Sequence, residues 1–394
     1  MLCAVFVVTR ADAQWVRLSG TQGAYAFAVN GPKVYAGSFN QGVYVSTDEG
    51  STWTAIDSGL TSMDVFALAS VGTYVYAGTF LGGLFVSSNS GLTWAPSDSG
   101  LSTSSVISLT TYGSDVLAGT YANGLFVSAD SGASWTPTRL NNVSVYAFAA
   151  VGAGIGAGTY GGGVFLSATG DTSWAAADSG LTSRNVFALA SIGSTVLAGT
   201  LGGGMFRSTN AGATWAAADS GLTVLNINAL IAVGTNVFAG TDNGVFRSTD
   251  IGKSWARVDS LLPATPVYAF AATGTNFFAG TNGYGIWRRP LSQVVITGVA
   301  AAPGGVPGAF RLDQNYPNPF NPATTIRYSI PRRSHVTLAL FNILGQQVAE
   351  LVGAQQDPGP HEIRFDASGL ASGVYFYRLT AEGYTDTRKL ILLR

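Results

Sequence analysis

The chain has 394 residues, 47% of them hydrophobic and only 10% charged, with 51 Gly, a single Cys and a formal net charge of −1. That length suits two domains, the apolar content excludes disorder, and the scarcity of Lys and Arg excludes nucleic acid as a partner. One cysteine, Cys3, leaves no disulfide scaffold and no thiolate zinc site.

Residues 1–13 read as an export signal. Leu2 to Val8 form an apolar run and Ala11-Asp12-Ala13 supplies a small-x-small cleavage pattern, giving a mature start near Gln14, although the usual positively charged start is missing. Beyond residue 8 no apolar run approaches the roughly 20 residues that cross a bilayer. No transmembrane span is expected in the mature chain.

An internal repeat follows. Ala-Gly-Thr or Ala-Gly-Ser recurs with its glycine at Gly37, Gly78, Gly119, Gly158, Gly199, Gly240 and Gly280, at intervals of 39 to 41 residues. Each period holds a first strand such as Asp64 to Ala69, a second ending in Ala-Gly-Thr, a third after a Gly-rich turn, and a fourth opening with Trp53, Trp94, Trp135, Trp174, Trp215 or Trp255. Four short strands per period of about 40 residues, with no helical period, is the pattern of a propeller blade. The last period stops after Gly285 to Arg289, and Trp15-Val16-Arg17-Leu18 matches its missing fourth strand. A seven-bladed β-propeller over 14–289, closed by its own N-terminal strand, is predicted.

Between third and fourth strands recurs S-x-D/N-x-G-x-S/T-W, as in Ser46 to Trp53, Ser87 to Trp94, Ser128 to Trp135, Ser208 to Trp215 and Ser248 to Trp255. This resembles the Asp-box, or BNR, repeat of sialidases, sortilin-like receptors, photosystem assembly factors and some xyloglucan hydrolases. Asp48, Asn89, Asp130, Asn210 and Asp250 are read as structural, because an Asp or Asn can hold a tight hairpin through backbone N–H groups and a residue repeated in every blade cannot define one site. The copy from Ser167 to Trp174 carries Thr169 and Asp171 where Asp and Gly belong, so that hairpin is expected to be the loosest.

Chemistry within the repeats has little to draw on. The chain's histidines, His335 and His361, lie beyond them, and Glu49 is the one glutamate before residue 290. Histidine-dependent triads and metal sites are therefore excluded there. The resemblance to sialidases would imply an arginine cluster with a Tyr-Glu pair, which this sequence lacks: Arg207 and Arg247 approach boxes, leaving Arg184 and Arg139 for the opposite rim. No catalytic residue, metal or cofactor is assigned. The rim instead offers aromatic residues in the turns after Ala-Gly-Thr, Phe39, Phe80, Tyr121 and Tyr160, beside Asp64, Asn185 and Asn226 at the starts of first strands. Aromatic rings beside small polar groups suit a glycan or a protein surface, and packing of those rings between blades is the competing expectation. Asp57, Asp98, Asp178, Asp219 and Asp259, in recurring Asp-Ser-Gly-Leu segments or their equivalents, are read as turn formers.

After Arg289 the composition shifts, and 290–308 reads as a linker rich in Ala, Gly, Val and Pro. Residues 309–394 alternate as a small immunoglobulin-like β-sandwich without a disulfide. Gln314-Asn315-Tyr316-Pro317-Asn318-Pro319-Phe320-Asn321-Pro322, Asn342-Ile343-Leu344-Gly345-Gln346 and Ser372-Gly373-Val374-Tyr375-Phe376-Tyr377 are similar to the type A sorting domain of the type IX secretion system. The resemblance implies passage through periplasm and outer membrane, then release or surface attachment, with the type IX machinery as partner. The final strand, Thr385 to Leu393, is expected to present an open edge to a receptor.

The expectation is therefore an all-β chain, a propeller followed by a sandwich, that is secreted or displayed and binds a glycan or protein without catalysis. The alternatives are a polysaccharide hydrolase using Asp64 and Asp242 as its carboxylate pair and a structural surface or adhesion protein.

Overall fold

The computed structural model describes residues 15–170, 173–258, 262–294, 310–315, 318, 320 and 323–392. The proposed export signal lies outside the described residues. The chain divides into two compact units, 1–297 and 298–394.

Unit one holds seven four-stranded antiparallel sheets, blades I to VII. Blade I is Ala26–Asn30, Lys33–Gly37, Val43–Ser46 and Thr54–Ala55. The inner strands of the others are Val65–Val71, Val106–Tyr112, Ser144–Val151, Val186–Ile192, Ile227–Val233 and Val267–Ala272. Each inner strand meets those of the two neighbouring blades, so the ring closes around a channel.

Closure is made by the N-terminus. Val16–Arg17 pairs with Ile286–Pro290 as the outermost strand of blade VII. Trp15, 2% exposed, takes the place of a box tryptophan without having a box. Its Nε1–H donates to the Val258 carbonyl of blade VI at 3.2 Å, just as Trp94, Trp215 and Trp255 donate to Ile56, Ala177 and Ala218 of the blade before.

The repeated residues are those that neighbouring blades require. A Cβ on Gly78 would stand 2.7 Å from Val106 Cγ1, and one on Gly158 2.7 Å from Val186 Cγ1, so the Ala-Gly-Thr glycine is the seat for the next blade's inner strand. The following threonine closes its own turn, as Thr79 Oγ1–H does on the Gly83 carbonyl at 2.8 Å. In the Asp-Ser-Gly-Leu segments the backbone N–H of Trp135 donates to the Ser99 carbonyl at 2.8 Å. Asp57 and Asp98 carboxylates accept from the Val43 and Leu84 N–H groups, each at 2.8 Å, and so pin their turns across the blade. Asp259 lies outside the described residues.

Each box hairpin is wound around one side chain. Asp130 Oδ1 accepts from Ser128 Oγ at 2.7 Å and the Ser134 N–H at 2.9 Å, while Oδ2 accepts from Ser134 Oγ at 2.6 Å. Asn89 reproduces the pattern, its Nδ2–H donating to Thr93 Oγ1 at 2.8 Å. In the fourth copy the glycine stands one place earlier, and Ser167 Oγ accepts from the Gly170 N–H at 2.9 Å; residues 171 and 172 lie outside the described residues, so the expected looseness does too. The hydroxyl and N–H donors hold the exposed Asp48 and Asp130 carboxyls down to about 2, from an ordinary 3.8. A carboxyl whose folded value is depressed stabilises the fold above its unfolded value and ceases to do so as pH falls through the folded one. Asp130→Asn should therefore fold at neutral pH and lose less of its thermal midpoint between about pH 5 and about pH 2 than the parent chain. Asp130→Ala should be weaker at both, as scanning calorimetry would show.

The propeller runs past its expected end. Pro290 belongs to the last strand, and Leu291–Val294 forms one helical turn whose Val294 is buried in the cluster containing Trp15 and Phe277. The segment read as linker thus begins later than residue 290, because Val294 still has core to fill. Residues 295–309 lie outside the described residues.

Unit two is a sandwich of a three-stranded sheet, Arg311–Leu312, Ala323–Ile330 and Gly359–Asp366, and a four-stranded sheet in the order Gln347–Gln356, Ser334–Phe341, Gly373–Ala381 and Tyr384–Leu392. Ile326, Leu338, Tyr377 and Leu390 are among its core residues. The last strand does stand at a sheet edge, but its C-terminal end, at Lys389 and Ile391, is not open. Asn318 Oδ1 accepts from the Ile391 N–H at 2.8 Å, the Lys389 carbonyl accepts from Gln314 Nε2 at 2.6 Å and Asn318 Nδ2 at 3.1 Å, and the Phe320 N–H donates to the Ile391 carbonyl at 3.0 Å. Gln314, Asn318 and Phe320 supply the partners a receptor strand would have supplied there, which corrects the expectation of an open edge for the end of the final strand.

Candidate functional site

The channel mouth is built by a repeated irregularity. In blades II to VII the pairing of inner and second strands slips by one residue, at Phe66, Ile107, Tyr146, Phe187, Asn228 and Tyr268. A bulge turns its extra residue out of the ladder and re-aims the side chain. Here all six residues line the channel together with Tyr25, which precedes the inner strand of blade I. The channel has a volume of about 590 Å³, and no charged side chain lines it among the described residues.

The rings run together as an arc. Tyr25 stacks on Tyr268 at 4.8 Å between centroids and lies 5.0 Å from Phe66. Phe66 meets Phe39 at 6.2 Å and Phe80 at 5.8 Å, and Phe80 meets Tyr121 at 6.1 Å. Farther round, Phe187 stacks on Tyr146 at 4.3 Å and meets Tyr160 edge-on at 6.1 Å. Packing and exposure therefore coexist: Phe39 and Tyr160 contact bulge rings and Tyr121 contacts Phe80, yet Phe39, Tyr121 and Tyr160 remain 48%, 50% and 50% exposed, with Leu81 exposed beside them. Burial pushes the Tyr25 hydroxyl up to about 12, with Tyr268 adding to it, and burial also raises Tyr146 and Tyr268. These phenols stay protonated at neutral pH.

The polar residues at the starts of inner strands act as clamps. Asp64, Asn185 and Asn226 accept from the backbone N–H groups of Asn40, Gly161 and Gly202 in the preceding blade, at 2.9, 3.0 and 2.7 Å. The Phe80, Tyr121 and Leu201 N–H groups return bonds to the Asp64, Ser105 and Asn185 carbonyls. Rim side chains are thereby held on rigid turns, which lowers the entropy lost when a partner lands on them. Asp242, in blade VI, accepts from Asn226 Nδ2 at 2.6 Å and Asn228 Nδ2 at 2.9 Å. Asp64 thus serves the turn of blade I and Asp242 the asparagines of blade VI, and neither carboxylate is directed at the other. Asp64 also borders a separate open cleft of about 800 Å³, with Phe80 and Asp98. Arg184 is paired with Asp178 at 2.9 Å.

Tyr25, Phe66, Tyr146, Phe187 and Tyr268 join the candidate rim residues although the turn motifs do not point to them. The available signal is the recurrence of an aromatic residue between two small or β-branched ones, as in Val65-Phe66-Ala67, Val186-Phe187-Ala188 and Val267-Tyr268-Ala269.

Residues 314–393 match the family model of the secretion system C-terminal sorting domain. No curated relative matches the chain. Among solved structures, YCF48 bound to D1 peptide is similar at 16% identity and a TM-score of 0.59, covering 70% of this chain and 96% of that one. The extracellular domain of BT3049, from a B. thetaiotaomicron hybrid two-component system, gives 15% and 0.59 over 96% of this chain and 57% of that one. PorZ, a surface component of the type IX secretion system of Porphyromonas gingivalis, gives 16% and 0.52 over 95% and 60%. At such identities the likeness is one of fold. The chain accordingly joins a seven-bladed β-propeller to a type IX secretion C-terminal sorting domain, and it is a secreted or outer-membrane-attached cell-surface protein.

Proposed function

We propose that the propeller is a non-catalytic binding module, delivered outside the cell by its sorting domain, and that it holds a glycan or polypeptide at the aromatic channel mouth. The observation that carries this reading is the ring of bulges. Six blades each depart from regular pairing at the one position that turns a side chain into the mouth, and bulges of this kind gather at functional sites. That YCF48 has been solved with a D1 peptide supports a propeller of this shape as a peptide receptor. The S-x-D/N-x-G hairpins, wound around their own side chains, support the Asp-box reading and a structural role for it.

The test is a binding screen of the full chain against glycans, peptides and surface proteins, repeated with Tyr121→Ala and Tyr160→Ala. Exposed aromatic anchors contribute 2 kcal/mol or more at hot spots, so each change should weaken a genuine ligand by roughly tenfold or more. A ligand bound equally well by both variants would place recognition elsewhere and favour a structural surface role. Release of reducing sugar that Asp64→Asn abolishes would overturn the non-catalytic assignment.

A further inference from the structure

The bulge residues are aromatic or aliphatic in every other bulged blade, Ile107 included, but at blade VI the position is the amide Asn228, with Asn226 and Asp242 as neighbouring groups. We infer that this notch receives the cationic side chain, Arg or Lys, of a protein segment whose adjoining apolar side chains lie along the arc. The inference rests on the mouth being the binding face and names the chemistry of what binds there.

Three observations converge on a cation. Asp242 is partly buried, and its carboxylate is held by two neutral amides that orient it without cancelling its charge. Among the described residues no Lys or Arg lies within ion-pair distance of it, whereas Asp178 on the same rim has Arg184. A partly buried carboxylate attracts a cation, and the two amide hydrogen bonds already fix the geometry that such a pair needs in order to be favourable. The wall beside it is also the right one. Asn228, which holds the Asp242 carboxylate, lines the channel together with Tyr268, whose ring stacks on Tyr25 and leads on to Phe66. Ring faces attract cations, and a guanidinium can lie on such a face while donating to a carboxylate. Finally, among the described residues the channel lining carries no basic side chain to repel an incoming positive charge.

A polypeptide, rather than a free amine, is indicated by the length of the apolar arc. Exposed Phe39, Leu81, Tyr121, Tyr160 and Leu201 extend across blades I to V, far beyond what one ammonium group covers. Side chains flanking a single basic residue would use that surface.

The experiment titrates the full chain with a set of eight-residue apolar peptides carrying one central Arg, Lys, Gln or Glu, and in parallel with neutral oligosaccharides, following tyrosine fluorescence. The Arg and Lys peptides should bind, the Gln and Glu peptides at least roughly tenfold more weakly, and affinity should fall as salt is raised. Asp242→Asn keeps the shape of the notch and should weaken the basic peptides by roughly tenfold or more. Because the salt series is run on the unaltered chain, it tests the inference even if the variant fails to fold. A neutral glycan that binds through Tyr121 and Tyr160, independently of salt and of Asp242, would overturn the cation and leave the mouth as the site. Basic peptides bound with no effect of Asp242, Tyr121 or Tyr160 would overturn both, and no binding of any basic peptide at millimolar concentration overturns the cation as well.

Discussion

Trp15→Ala is expected to destabilise the propeller by about 3–5 kcal/mol, the usual cost of removing a buried large aromatic side chain. Trp15 does three things at once. Its indole is buried against Phe277 at 5.7 Å, its Nε1–H reaches the Val258 carbonyl of blade VI, and its chain leads directly into the two-residue strand that completes blade VII. Truncation therefore leaves a cavity at the seam between the sixth and seventh blades and releases the short strand that hides their edge. Val16→Ala, one residue on and largely exposed, is the control and should stay within about 0.5 kcal/mol. Denaturant unfolding followed by tryptophan fluorescence would compare the two. Equal midpoints would show that the ring does not depend on this contact.

Gly100→Ala should be among the most damaging single methyl additions in the repeats, with its counterparts Gly59 and Gly221. Gly100 has φ near +88°, and a Cβ there would overlap the carbonyl oxygen of Trp135 in the next blade. Both partners are backbone, so neither can swing aside. The left-handed conformation alone costs an alanine about 1–2 kcal/mol, and forced overpacking adds about 1–3 kcal/mol. Gly72→Ala separates the two contributions, because Gly72 has φ near +57° with open space where the Cβ would go. It should lose only the conformational part. A similar loss at both positions would mean that the blade seam can open to accommodate a methyl, contrary to the contact between Gly100 and Trp135.

The legible parts of this fold were those that recur. Gly78, Gly119 and Gly158 announce a period by position, so blade number and strand order follow from spacing, and Trp15 identifies the closing strand because six later tryptophans define what such a strand looks like. What spacing cannot convey is the physical reason for each residue. The Ala-Gly-Thr glycine is required by a valine of the following blade, roughly thirty residues downstream. The channel ring stayed hidden because no glycine or proline marks the bulges at Phe66 or Phe187, and plain alternation gives these positions no special direction. Asp64, Asn185 and Asn226 were visible as polar residues at the rim, but their bonds to the preceding blade depend on the curvature of the ring. The covered edge of the final strand was illegible for a related reason: Gln314 and Asn318 reach Lys389 and Ile391 across most of the sandwich sequence.

The pairing of Val16–Arg17 with Ile286–Pro290 also sets a clock. Synthesis runs from the N-terminus, so within the propeller the segment needed to seal the ring is made before the strand it must find. Without both segments blade VII lacks its outermost strand, and the edge of Ile286–Pro290 is left unpaired. A clip as short as two residues can be fastened late, once both of its ends are present.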